Sequence, residues 1–200
     1  MLSRTYFLTL ITCLLAVGVR HGQAQTTDDI QVTASFTSYI QLSVTDGENI
    51  DFRVRSIGDY SGGISSPYDY FSIFEVSSSQ DFKVDLVATP FTDGNGNALD
   101  ANNFGYRISD EGDHLVNVNH LLIGGGNSPS DLSLLGEEKE IVTAHNEGNS
   151  GGTDKNRFKL QFELGTPGVR SLSGLPRLLD QNIAPANYTG TVVLTASAMP

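Results

Sequence analysis

The chain has 200 residues with 23 acidic against 12 basic side chains, a formal charge of -11, one cysteine and no tryptophan. An acid excess of this size, with no basic cluster to displace counterions from phosphates, opposes binding to nucleic acid and to anionic membranes. Frequent glycine, the absence of tryptophan and no window of sustained helical period point to an all-β chain rich in turns.

Arg4 precedes a largely apolar run, Tyr6 to Val19, and Gly22-Gln23-Ala24 places small residues at the two positions a signal peptidase reads. Residues 1–24 are therefore expected to be a signal peptide, with Gln25 as the mature start. A membrane anchor is the alternative, but the run is shorter than the roughly 20 apolar residues a bilayer needs. Cys13 lies inside the leader, and Leu10-Ile11-Thr12 lacks the small residue that a lipidation cysteine usually follows. Cleavage would leave a mature chain without a thiol, which excludes disulfides, thiolate metal sites and cysteine nucleophiles. It would also remove Arg4 and Arg20, so the mature charge becomes -13. The expectation is a secreted protein, extracellular or at a cell surface, with no membrane insertion after cleavage.

Residues 25–200 suit one domain able to bury a core without staples. From Ile30 to Val44 every second residue is apolar except Ser38: Ile30, Val32, Ala34, Phe36, Ile40, Leu42, Val44. This is a strand period, but fifteen extended residues would span roughly 50 Å, about twice a usual strand. The run is expected to break at Ser38. Its first half then either switches to the other sheet of its own domain or pairs with another molecule. Ile50 to Arg55 alternates again, Gly58 to Tyr70 reads as a loop, and Phe71 to Val76 is apolar on both faces, as in a central strand. Phe82 to Ala88 alternates and is closed by Pro90.

Weaker strands follow at Phe104 to Ile108 and Leu115 to Ile123, and the glycine run 124–126 makes a loop. Leu132 to Ala144 is ambiguous, since Glu137 to Glu140 suit a helix while Gly136 and Ile141-Val142-Thr143 suit a strand. Phe158 to Leu164 is the cleanest short strand, 165–185 reads as irregular surface chain, and Tyr188 to Ala198 closes the sequence as another alternating strand. About nine strands without a helical crossover predict two packed antiparallel sheets.

The last strand carries a resemblance. Ala184-Pro185-Ala186-Asn187-Tyr188-Thr189-Gly190-Thr191-Val192-Val193-Leu194 resembles the closing strand, P-G-x-Y-x-G-x-V-x-V, of secreted bacterial β-sandwiches of the spore-coat-U and fimbrial-subunit type. Ala186 replaces the pattern's Gly and Leu194 its last Val. The resemblance implies an immunoglobulin-like sandwich that serves as a surface or filament building block, and for want of any catalytic motif no enzymatic activity is expected. It further implies assembly by strand donation, in which copies of the chain are each other's partners. Segment 25–37 is the candidate donor, with Ile30, Val32, Ala34 and Phe36 as the side chains that would fill a neighbour's pockets. An intramolecular first strand that changes sheets is the competing arrangement.

Other site readings are narrower. Asp93-Gly94-Asn95-Gly96-Asn97, with Asp100 beyond, has the oxygen spacing of a calcium loop, but Ala98 and Phe104 stand where Gly and the bidentate Glu are needed. The same residues are ordinary hairpin material, so no cofactor is expected, with calcium at Asp93, Asn95, Asn97 and Asp100 as the alternative. Tyr60, Tyr68 and Tyr70 around one loop offer stacking faces for surface glycans, the alternative function being an adhesive module that acts as a monomer. His114 and His120 share a strand face but lie some ~20 Å apart, too far for one ion. No nucleophile elbow occurs, and the sequon Asn187-Tyr188-Thr189 matters only in a eukaryotic secretory pathway.

Overall fold

A computed structural model describes residues 33–114, 121–123 and 131–199. The chain divides into two units, Met1–Phe36 and Thr37–Pro200. In the first, residues 33–36 are exposed and lack regular secondary structure. The expected signal peptide and the donor positions Ile30 and Val32 lie outside the described residues.

The second unit is an antiparallel β-sandwich. Its first sheet runs β1 (Ile40–Asp46), β3 (Phe71–Ser78), β11 (Arg157–Leu164), β7 (Phe104–Asp110) and β9 (Ser133–Leu134), with the two-residue β2 (Ile64–Ser65) also on β11. The second runs β12 (Val192–Ala198), β4 (Phe82–Ala88), β10 (Lys139–Ala144) and β8 (Leu121–Ile123). A small hairpin joins β5 (Phe91–Thr92) to β6 (Ala98–Leu99). The twelve strands among the described residues exceed the nine expected because five of them are only two or three residues long.

The core lies between the sheets. Strand alternation delivers Phe74, Val76, Phe158 and Leu160 from one side and Val84 and Leu86 from the other, and the neighbouring Ile141 and Val142 join them where the β10–β4 register shifts between Glu140 and Val142; each is essentially without exposed surface. Burying each such side chain stabilises the fold by about 1.5–3 kcal/mol. The Phe74 and Phe158 rings stack across the β3–β11 ladder at 5.1 Å.

The ambiguous 132–144 segment resolves as strand, with Glu137 and Glu138 in the approach to β10. Ile141 and Val142 are wholly buried, and that burial outweighs the weak helical preference of the glutamates. Three expectations need correction. Ile50, Phe52 and Val54 do pack against the core in alternation, yet Ile50 to Arg55 joins no ladder among the described residues. The supposed loop at 58–70 opens with a helix, α1 (Ile57–Gly62), capped reciprocally by Ser56 and Asp59. The irregular 165–185 stretch contains α2 (Pro167–Ser173), with Thr166 as cap, Pro167 in its first turn and Gly174 in the left-handed closing position. It is not simply surface chain, because Val169 and Leu178 are buried.

Two fastenings fix the edge where the first and last strands run. Ser79 N donates to Tyr39 O at 2.9 Å and Met199 N donates to Asp81 O at 2.7 Å. The start of β1 and the end of β12 are thus held by one turn, between β3 and β4. Beside it the wholly buried Asn149 acts as a substitute strand, its Oδ1 accepting from Phe82 N and its Nδ2 donating to Phe82 O, both at 2.9 Å.

Candidate functional site

An apolar strand has two obligations, to pair its backbone and to cover its inward side chains. β1 and β12 meet both only in part. Each is outermost in its sheet, β1 bonded to β3 alone and β12 to β4 alone among the described residues. The two strands come within contact distance of each other across the sandwich, so two open edges lie side by side.

The register shows which side chains face inward. Leu42 pairs with Val76 and Val44 with Phe74, while Leu194 pairs with Leu86 and Ala196 with Val84. Directly opposed residues share a face of the sheet. Yet Val76, Phe74, Leu86 and Val84 are completely buried, whereas Ile40, Leu42, Val192, Leu194 and Ala196 are only partly covered. Val44 remains 36% exposed.

Soluble proteins usually guard such edges with charge, proline or a bulge. β1 has a register shift between Val44 and Asp46 that breaks its ladder near one end. β12 reads Val-Val-Leu-Thr-Ala-Ser-Ala, with no charge, no proline, no glycine and a continuous seven-pair register against β4. Such a strand is a template for another chain.

Among the expected donor residues, Ala34 and Phe36 fall in the described chain. Both are exposed, Phe36 by 94%, and residues 33–39 form no regular strand. The regular strand begins at Ile40, two residues beyond the expected break at Ser38. Tyr39 marks the joint, its N–H donating to Ser79 Oγ at 2.9 Å.

The three loop tyrosines are not one platform. Tyr60 and Tyr70 pack against the core, Tyr70 stacking on Phe52 at 4.4 Å, while Tyr68 is 84% exposed. The Asp93 loop forms the hairpin turn expected of it. Asp93 Oδ1 accepts from Asn95 N and Asn97 N, and its Oδ2 accepts from Asn97 Nδ2. The Asn97 side chain, followed by these backbone donors, holds the Asp93 carboxyl below its ordinary range. Asp100 caps a separate turn by accepting from Asn102 N. The two carboxylates therefore serve different turns, and no group of three or more His, Cys, Asp or Glu side chains gathers for a metal among the described residues. His114 is buried beside the 151–155 turn, its Nε2 3.6 Å from where a Cβ on Gly151 would stand, and His120 lies outside the described residues.

No helix among the described residues is long and apolar enough to cross a membrane. Comparison with known proteins finds no matching family model, and no curated protein matches the chain.

Proposed function

We propose that the protein is a non-enzymatic structural subunit of an extracellular bacterial filament or surface layer, assembled by β-strand addition between copies. The observation that carries this reading is the adjacent pair of open edges, β1 and β12, whose inward rows are incompletely covered. A strand lying along that margin would bond to free backbone groups and place alternate side chains over Ile40, Leu42, Val192, Leu194 and Ala196. Ile30, Val32, Ala34 and Phe36 supply the required alternation in a segment that precedes β1. Main-chain bonds would provide affinity, and the apolar row would fix register. The closing-strand resemblance, the signal-like leader and the mature charge agree with an exported building block of fimbrial type.

The test is removal of Gln25 to Phe36 from the mature chain. The shortened protein should remain folded by circular dichroism, stay monomeric by light scattering, and form no filaments by electron microscopy. A synthetic Ile30–Phe36 peptide should bind it and should cap growth of the intact protein. Filaments from the shortened chain, or an intact mature protein that stays monomeric at every concentration, would refute the reading.

A further inference from the structure

We propose that the cleft between the β5–β6 hairpin and the 175–188 segment binds neutral saccharides. This site stands apart from the β1–β12 margin and does not depend on whether the chain polymerises. The cleft is a groove of about 540 Å³ open to solvent, and Asn97, Leu99, Asp100, Gln181, Asn182 and Tyr188 are among its lining residues. That volume falls in the range of small-molecule sites.

Its walls are held in place by hydrogen bonds that leave acceptors over for a ligand. Gln181 Nε2 donates to Asn103 Oδ1 at 2.7 Å and to Pro176 O at 2.8 Å, while its Oε1 accepts from Asn103 Nδ2 at 3.0 Å. Asn103 is buried, so this reciprocal amide pair pins one wall to the sandwich. The hairpin wall is fixed by the three bonds to Asp93 and by the Thr92–Thr189 bridge that ties the two walls together. Tyr188 Oη donates to Ala184 O at 2.9 Å, which sets the position of its ring.

What remains for a ligand is chiefly acceptor in character. Asn97 uses Nδ2 on Asp93, which leaves Oδ1 as an acceptor; Asp100 uses Oδ1 on Asn102 N, which leaves Oδ2. Tyr188 donates its hydroxyl proton and keeps its oxygen lone pairs. Asn182, held at a left-handed φ of 51°, also lines the cleft. Non-glycine residues in that region are uncommon, and asparagine is among the few that adopt it readily. The cleft is thus rich in acceptors, carries one carboxylate and no basic side chain, and counts Tyr188 and the apolar Leu99 among its lining. Hydroxyl-rich neutral rings satisfy that set, whereas phosphate, sulfate and sialic acid would meet Asp100 without a compensating cation.

The test titrates isotope-labelled mature protein with chitotriose, mannotriose and cellotriose, and with sialyllactose as the acidic probe. At least one neutral sugar at about 10 mM should shift the amide resonances of Gly96, Ala98 and Asn182. Asn182→Gly retains the left-handed backbone and removes the amide, and should weaken that binding by about three- to tenfold. Asp100→Asn keeps an oxygen for Asn102 N and should weaken it similarly. Absence of shifts with all three neutral sugars overturns the assignment. So does sialyllactose binding as well as they do, or affinity unchanged in both variants.

Discussion

Leu194 pairs with Leu86 across the β4–β12 ladder, yet Leu86 is fully buried while Leu194 is only partly covered. Two leucines in one register therefore report on different environments. Leu86→Ala should destabilise the monomer by about 2–5 kcal/mol, since it leaves a cavity the sandwich cannot close. Leu194→Ala should cost less, about 1 kcal/mol, because part of its surface is already wet. Urea unfolding of both variants in the background lacking Gln25 to Phe36 measures the difference. Equal losses would mean that Leu194 is sheltered in the solitary protomer.

Thr195 lies on the exposed face of β12, opposite Asp85. Thr195→Lys adds a charge to an edge that has none, and it stands opposite Asp85, which Lys83 already pairs at 2.9 Å, so the new ammonium shares that carboxylate and remains largely in solvent. Unfolding free energy should stay within about 0.5 kcal/mol of the parent, as for most surface changes. Filament growth followed by light scattering should slow markedly. Unimpaired growth would place the assembling edge elsewhere.

Asn149 bonds both backbone groups of Phe82 from a fully buried position and donates its own backbone N–H to Asp81 Oδ1 at 2.9 Å. Asn149→Ala would strand a buried donor and a buried acceptor, a loss of about 2–4 kcal/mol. Asn149→Asp keeps the acceptor for Phe82 N and loses the donor to Phe82 O, so it too should destabilise. Thermal unfolding at neutral pH reads both effects.

Asp110 ends β7 with its carboxyl raised to about 6, first by burial and then by the charges of Asp113 and Glu111, against a lowering bond from Gly112 N. An acid that ionises less readily in the folded state does not weaken the fold below its unfolded value of 3.8, where both states are protonated. Stability is then lost as pH rises through about 6. Asp110→Asn keeps an acceptor for Gly112 N and removes the charge. It should raise the unfolding temperature at pH 7 and leave it unchanged near pH 3.5. A variant that gains nothing at neutral pH would show that solvent already reaches this carboxylate.

Period-two alternation carried most of the architecture. β4 and β11 have the apolar rows that the sequence displays, and the sandwich follows from packing those rows together. Alternation did not distinguish a paired strand from an extended segment, so Ile50, Phe52 and Val54 have the right faces without a ladder. The helices were readable from local chemistry that alternation ignores: Ser56 and Asp59 form a capping box, and Thr166-Pro167 with Gly174 bracket α2. The cleft had no local signal, because Asn97 and Asn182 are distant in sequence and line one groove only once the hairpin bridges to Thr189. Nor did the sequence reveal that Tyr60 and Tyr70 turn to the core while Tyr68 faces solvent; nearness along the loop does not determine direction.

The shared turn at Ser79 and Asp81 makes the sandwich a candidate for circular permutation. Tyr39 and Met199 are bonded to residues two positions apart, so a linker of about six residues would join them. Reopening the ring at Tyr68, whose side chain is already in solvent, would retain both large sheets. Such a rearranged chain would detach the leading segment from β1 while preserving the β1–β12 margin, making donor and acceptor separable parts.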